Sequence, residues 1–585
     1  MKNLRFAALV LLAGAMLLAG CQQEHVVELR LIETADIHGN YYPDPNVQND
    51  KLPGSMAAVY TYVKQLRQQY DDRLLLVDNG DILQGQPIAY YYNYIDTISP
   101  HLTAEMMNYM GYNAAQVGNH DIETGWSVFE RWRRDSDFPI LGANVVDERT
   151  GQPHFTPYVV LEREGIRIAF LGLVTSAIPI WVPSSQWTHL RFEDMEESVR
   201  RWLPIIRAQE RPDLIVGLFH SGANAYTIDR KYRENASVEA ATKVPGFDLI
   251  LYGHDHLPAC RRIANLEGDS VLMVNPGSGG ENVADVTVKL HIKKGEVVGK
   301  ELDARLVSMK NFPPDAELLK HFARERRAVD EFVTDRVGIL TESISTRDVY
   351  FGPSPFISLM HLIQLEVTGA DVSLASPLAY NIELKEGDVT VADLFRFYTF
   401  ENLIYTIEMT GAELKDELEM SYNQWTNRML GPGERLLLLR DSPLRGNTER
   451  AYFVYYTSNF DSAAGIEYVV DVTKPMGNKV RILRMADGRP FRPDGHYRVA
   501  VNSYRGNGGG ELLTKGAGIP FEQLKGRTRY ISPYDFRFYL IHYLNRHRPY
   551  TPTVLGHWKF IPEAWTVPAG KRDYEYLFGA RSEEQ

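Results

Sequence analysis

The chain has 585 residues, 44% of them hydrophobic and 24% charged, an ordinary globular balance at a length that calls for more than one domain. Its 75 acidic residues against 63 lysines and arginines leave a net charge of −12, which excludes a protein built on the basic stripe that binds a nucleic-acid polymer. Small anionic substrates stay open, because a metal centre supplies positive charge of its own. The two cysteines, Cys21 and Cys260, provide neither a disulfide framework nor a cysteine-built zinc site.

At the N-terminus, Lys2 and Arg5 precede the apolar run from Phe6 to Leu18, which is shorter than the roughly 20 residues of a membrane span. The run closes on Leu18-Ala19-Gly20-Cys21. This resembles a bacterial lipoprotein signal over residues 1–20, with Cys21 as the lipidated first residue. The resemblance implies an exported protein held at the cell envelope, periplasmic or on the cell surface, whose only membrane contact is that lipid. A plain secretory signal cleaved nearby is the alternative.

From Val26 to about Val307, strand-like runs alternate with helical ones. Helices are expected at Ser55–Tyr70, with Ser55 as the cap, and at Leu102–Met110, Trp126–Arg134 and Glu193–Gln209. Strands are expected at Ile166–Leu173, Val271–Asn275 and Val283–Ile292, and the whole reads as layered α/β architecture. Five apolar runs end in the same way. Leu29–Thr34 leads to Asp36 and His38, Leu74–Asp78 to Gly80-Asp81, and Ala114–Val117 to Gly118-Asn119-His120-Asp121. Leu214–Phe219 leads to His220, and Leu249–Tyr252 to Gly253-His254-Asp255-His256. Open α/β sheets place ligands at the carboxyl ends of their strands. Five such ends meeting on one edge would gather oxygen and imidazole donors, a set that suits Zn, Mn or Fe better than Ca. Taken singly, each Asp here reads as a turn or cap residue, and each His as a hydrogen-bonded structural residue. The joint pattern favours a metal site.

Asn311-Phe312-Pro313-Pro314 interrupts the alternation, and a charged helix over Ala316–Asp335 follows. It reads as a linker between domains or as a helix packed on the first domain's flank. A second α/β region begins near Gly338, with helices expected at Ser354–Leu365, Val391–Tyr398 and Gly411–Ser421 and a strand at Leu403–Met409. The stretch from Asn502 closes on Gly508-Gly509-Gly510, a loop that either approaches something closely or needs positive φ. Beyond Thr551 the chain reads as an extra tail on the body.

Phosphate ester hydrolysis is among the slowest uncatalysed reactions, and a two-metal site is a known answer to it. Asp36-x-His38, Gly80-Asp81-x-x-Gln84-Gly85, Gly118-Asn119-His120-Asp121, His220 and Gly253-His254-Asp255-His256 resemble, in order and spacing, the calcineurin-like metallophosphoesterases. The resemblance sharpens to their 5′-nucleotidase family, including its 2′,3′-cyclic-nucleotide 2′-phosphodiesterase/3′-nucleotidase branch. It implies a four-layer α/β sandwich over residues 21–310, a linker helix over 311–337, an α/β substrate-binding domain over 338–550 and a tail over 551–585. It implies two divalent ions, one held by Asp36, His38 and His256, the other by Asn119, His220 and His254, with Asp81 bridging them. His120 would serve catalysis without binding metal, oriented by Glu123, while Asp121 and Asp255 would be loop residues in support.

In the second region, Tyr398-Thr399-Phe400-Glu401-Asn402 and Asn502-Ser503-Tyr504-Arg505-Gly506-Asn507-Gly508-Gly509 resemble the family's base-stacking loops. Phe400 and Tyr504 would sandwich a nucleobase, with Asn402, Gly508 and Gly509 beside them. Asn459-Phe460-Asp461 and the Tyr504-Arg505 pair match the cyclic-phosphodiesterase branch. The segment Ser376–Asn381 lacks the arginine that 5′-nucleotidases place on the phosphate, and Gly510 stands where they carry a ribose-binding acid; Arg347 or Arg505 would have to compensate for the arginine. The expected activity is hydrolysis of 2′,3′-cyclic nucleotides and 3′-nucleotides in nucleotide salvage. The alternatives are a 5′-nucleotidase or UDP-sugar hydrolase, and a surface binding protein with a dead site.

Overall fold

The computed structural model describes residues 24–44, 54–223, 232–441 and 452–579. Cys21 and the signal segment lie outside the described residues. Among those residues, no helix is long and apolar enough to cross a membrane.

Two six-stranded sheets face each other in the first domain. The first runs Glu296–Ser308, Asn282–Lys293, His25–Thr34, Leu74–Asp78, Ala114–Gln116, Ile140–Leu141. Its last four strands are parallel, and Asn282–Lys293 lies antiparallel to His25–Thr34. The second runs Ala259–Ala264, Ser270–Asn275, Leu249–Tyr252, Leu214–His220, Ile166–Val174, Tyr158–Arg163, with four parallel central strands and two antiparallel edges.

Side chains of period two explain the layering. Leu29, Leu31, Leu75 and Val77 point inward and pack with Leu214, Val216 and Leu218 of the other sheet. Ile32, Leu74 and Leu76 point outward, beneath helices Met56–Tyr70, Leu102–Met110 and Trp126–Asp135. Ile215 and Phe219 face outward on the second sheet, beneath Met195–Glu210 and Ser237–Lys243. The result is the expected sandwich of helix, sheet, sheet and helix. Helix Met56–Tyr70 starts where Ser55 accepts the Ala58 amide at 3.3 Å, and it buries Val59, Tyr62, Val63 and Leu66 along one stripe.

The linker is two helices rather than one, Ala316–His321 and Ala323–Thr334. The break falls at Phe322, which turns into the first domain's core beside Tyr109. Burying that ring outweighs the continuous helix that its charged neighbours would support. Tyr42 and Tyr92 donate to the carbonyls of Phe322 and Glu325, so the linker packs on the first domain's flank.

The second domain is built on a five-stranded sheet, Ser462–Ala464, Val372–Ala375, His496–Asn502, Leu403–Thr410, Thr528–Asp535. A three-stranded sheet, Val480–Met485, Ile466–Asp471, Trp558–Ile561, lies beside it. Its third strand corrects the expected tail. Trp558–Ile561 pairs in parallel with Ile466–Asp471, and the Trp558 and Phe560 rings pack on Tyr422 and Trp425 in the core. Helix Glu563–Phe578 follows and buries Asp573, which accepts the Leu436 and Leu437 amides. The aromatic composition that reads as a surface appendage is a piece of core.

The domains touch near the strand ends of the first. Arg537 lies over the rings of Tyr90 and Phe395 and pairs with Glu401, whose other oxygen accepts the Tyr94 hydroxyl. The Asn507 side chain donates to the Trp181 carbonyl at 2.9 Å.

Candidate metal centre

Both sheets direct the carboxyl ends of their parallel strands to one place. The first sheet delivers Asp36, His38, Asp81, Asn119 and His120 from three adjacent strands. The second delivers His220, the last residue of its strand, together with His254 and His256. Two groups of donor atoms result, Asp36 with His38 and His256, and Asp81 with His220 and His254, each within 4.8 Å of one another. Asn119 joins the second group, its Oδ1 being 3.1 Å from His220 Nε2.

The donor chemistry fits two cations. His38 Nδ1 lies 3.2 Å from the Gln84 carbonyl, which only accepts, so this nitrogen carries the proton and Nε2 presents a lone pair. That Nε2 lies 3.1 Å from His256 Nε2, and His256 Nε2 lies 3.3 Å from an Asp36 oxygen. Burial lowers the His38 pKa to about 4, which keeps the ring neutral as a ligand must be. His220 Nδ1 likewise donates to the Asn79 carbonyl at 2.6 Å, and its Nε2 faces Asn119 Oδ1 and Asp81 Oδ2, both at 3.1 Å. Three electron-rich atoms so placed need a cation among them, either a proton or a metal. The same demand shows in the pKa values. Burial disfavours charge on His220, yet Asp81 and Asp36 outweigh it and lift the ring to about 10. Burial also works against the Asp81 carboxylate, and the surrounding imidazoles nevertheless hold it well below its usual range.

Five of the seven expected ligands, Asp36, His38, Asp81, His254 and His256, have positive φ between 50 and 78°. Left-handed backbone is costly for residues with a side chain, and least so for Asp, Asn and His. Such strain gathers where surrounding structure fixes functional groups. Two glycines make the close approach possible. A Cβ on Gly118 would collide with the Asp81 carboxylate and amide, and one on Gly253 would lie 2.6 Å from Asp36 Oδ2.

Asp121 has a larger part than its sequence position shows. It is fully buried and accepts the amides of Gly118, Asp81, Ile82 and Leu83 at 2.7–3.0 Å, tying the Asp81 loop to the Asn119 loop. Asp255 ties the second sheet's strand ends through Ala223 N and Asn275 Nδ2. Asn79 was not singled out from the sequence. Its carbonyl sets the His220 tautomer while its amide bonds Glu33 and the Phe219 carbonyl. Its place in Asp78-Asn79-Gly80-Asp81 is the one local signal. Behind the ligands, burial raises the pKa of Asp78 to about 8 and that of Asp121 to about 6.

His120 stands over the centre without joining either group. Its amide donates to Asp81 Oδ1 at 2.7 Å, its ring meets that of His38 edge-on, and its Nδ1 is 2.6 Å from Glu123 Oε2. Burial opposes charge on this ring, but Asp81 and then Glu123 raise it to about 9. Trp181 lies against the His254 ring, and Glu234 Oε1 is 3.3 Å from His254 Nε2.

The expected base-recognition residues divide. Phe400 is exposed, with 43% of its surface accessible, as a stacking residue must be. Asn402 is buried and bonded to Tyr398 and Ser503, so it ties the Phe400 loop to the Tyr504 loop. Gly508 has φ of 99°, and Gly509 lies so close to the Tyr504 ring that a Cβ would be 2.6 Å from it.

Two family models match this chain. The family model for calcineurin-like phosphoesterases matches residues 29–258, and that for the 5′-nucleotidase C-terminal domain matches residues 333–515. A 2′,3′-cyclic-nucleotide 2′-phosphodiesterase/3′-nucleotidase of Yersinia enterocolitica is 26% identical over 92% of this chain and 88% of its own. A 5′-nucleotidase of Vibrio cholerae is 24% identical over 72% of this chain and 81% of its own. Among solved structures, a 5′-nucleotidase precursor from Thermus thermophilus shares the fold at a TM-score of 0.59 and 21% identity, over 92% of this chain and all of its own. A Staphylococcus aureus protein solved with alpha-ketoglutarate does so at 0.73 and 21%, over 91% of this chain and all of its own.

Proposed function

We propose that this chain, which belongs to the 5′-nucleotidase family of calcineurin-like metallophosphoesterases and is a hydrolase of phosphoric esters, acts on 2′,3′-cyclic nucleotides and 3′-nucleotides. Two divalent ions bound in the two donor groups would supply Lewis acidity for water and for the phosphoryl charge. In this reading Asp36, His38 and His256 would hold one ion, Asn119, His220 and His254 would hold the other, and Asp81 would be the carboxylate shared between them. His120, pinned through Nδ1 to Glu123, carries the proton for the leaving oxygen on its remaining nitrogen, Nε2. Phe400 and Tyr504 stack the base.

The observation that carries the choice of phosphate is at Gly510. Its φ is 68°, and a Cβ there would collide with Asn459 Oδ1 and Arg505 Nη1. An acid here, which 5′-nucleotidases use to grip free ribose hydroxyls, would have to displace the Asn459 side chain and the buried Arg505 fork. A ribose whose 2′ and 3′ oxygens are tied into one phosphate loses nothing by that. Arg505 is committed within its own domain through all three guanidinium nitrogens, and Arg347 bonds the Asn381 side chain through Nε at 2.6 Å. Steady-state kinetics with 2′,3′-cyclic AMP, 3′-AMP and 5′-AMP decide. The first two are expected to exceed 5′-AMP in kcat/KM, and a preference for 5′-AMP overturns the assignment while leaving the metal chemistry standing. The reading includes export with a lipid on Cys21, and Cys21→Ser is expected to release the protein from membranes. Unchanged fractionation, with no labelled lipid on the wild type, rejects the anchor.

A further inference from the structure

Two motifs take no part in the metal centre, Asn459-Phe460-Asp461 and Tyr504-Arg505, and the fold makes one unit of them. Arg505 and Asp461 are each 2% exposed. Arg505 Nε donates to Asp461 Oδ2 at 2.8 Å and Nη2 to Oδ1 at 3.0 Å, a bidentate pair. The rest of the fork reaches backbone. Nη2 donates to the Ser458 carbonyl and Nη1 to the Gly509 carbonyl, both at 2.5 Å, with Asn459 Oδ1 3.4 Å from Nη1. All three guanidinium nitrogens are thus in use, and two loops 47 residues apart are joined. The guanidinium carbon is 5.9 Å from the centre of the Tyr504 ring, and the Gly509 backbone lies against the same ring.

A buried ion pair is a poor source of net stability, because desolvating both charges offsets their attraction. What this pair provides is geometry. Gly508, Gly509 and Gly510 have no side chains to brace their loop, and two of them have positive φ. The carbonyl that Arg505 holds is that of the middle glycine, the one against Tyr504.

We propose that Asp461 and Arg505 are positioning residues for base recognition: the guanidinium fork fixes the glycine loop, and with it the Tyr504 ring, at the stacking distance of a nucleobase. The inference rests on the nucleotide reading above. Lysine keeps the charge but cannot reach Asp461, Ser458 and Gly509 together, and Asp461→Asn keeps the shape but loses the charge. Arg505→Lys and Asp461→Asn are each expected to raise KM for 2′,3′-cyclic AMP about tenfold, the size of a weakened stacking contact. Turnover of bis(p-nitrophenyl) phosphate, which has no base, should change less than about twofold, since P–O chemistry at the metals is untouched. The double variant should be no worse than either single one.

Hydrogen exchange gives a readout independent of substrate. Amides 504–511 should exchange faster in both variants, and those of strand His496–Asn502 should not. Equal losses on both substrates, no change on either, or failure of both variants to fold would overturn the proposal. A wild type that binds the cyclic nucleotide no better than the nitrophenyl ester defeats the nucleotide reading instead; unchanged exchange at 504–511 then defeats the clamp as well.

Discussion

The candidate metal centre and the loops proposed to stack a base hold their working groups by opposite means. In the first domain the strain sits on the functional residues themselves, with Asp36, His38, Asp81, His254 and His256 all at positive φ. In the second, positive φ falls on Gly508, Gly510 and Glu511 rather than on Phe400 or Tyr504, and a buried Arg505–Asp461 pair ties the glycine loop down. The contrast follows from what each site must do. Metal ligands need fixed lone pairs, which strand ends anchored in two packed sheets provide. A base needs only a flat face at the right spacing, and a braced loop provides that.

Breaking the first means should cost most. Asp81→Asn removes the negative charge that His220 Nε2 faces, and activity on every ester is expected to fall further than in any other single variant here, with reduced metal content by elemental analysis. Two retained metals with near-normal turnover would sink the bridging role. His120→Ala is expected to keep both metals and lose about 10²–10⁴ in kcat, the usual share of general acid–base help. Loss of one metal would make His120 a ligand.

A pair of glycine substitutions sharpens the contrast. Gly118→Ala drives a methyl into the Asp81 loop and should destabilise by about 1–3 kcal/mol, with both nucleotide and nitrophenyl esters affected. Gly509→Ala pushes first on the Tyr504 ring and would displace it from its place in the loop, so KM for nucleotides should rise several-fold while nitrophenyl turnover holds. Thermal melts and kinetics on the two substrates check both. If the two variants behaved alike, the division between a strained centre and a braced loop would fail.

The smallest expected effect is one the two domains share. Burial, with Arg131 adding to it, lowers the His101 pKa to about 3, and burial, with His557, does the same for His361. Both rings are neutral when folded, whereas the unfolded chain takes up a proton below about pH 6.5. Between pH 6.5 and 3 the unfolded state binds more protons, so this stability is full above pH 6.5 and is lost as the pH falls, at no more than about 1.4 kcal/mol per pH unit for each ring. Denaturant unfolding at pH 7.5 and 5.5 should show the drop. His361→Gln should flatten it for the second domain only, and a slope unchanged in that variant would assign the pH dependence elsewhere.

The sequence by itself determined the helix and strand types and the Asp, Asn and His residues that follow the strand-like runs, because these follow from local rules, whereas the grouping of those residues around two ions and the division between domains came from the resemblance to a family. Ser55 caps a helix whose apolar stripe recurs at helical spacing, and apolar runs that stop at Gly-Asn-His or Gly-His-Asp-His announce strand ends bearing ligands. Only the tertiary structure decided that those ends come from two facing sheets, three strands from one and two from the other. It alone made Asp121 a brace for four amides, broke the linker at Phe322, took Trp558–Ile561 into a sheet and joined Asp461 to Arg505. The reason is range. Periodicity, capping and turn chemistry are settled within a few residues, whereas a ring entering a core, a strand finding an edge or a carboxylate finding a guanidinium 44 residues away depends on how the whole chain closes.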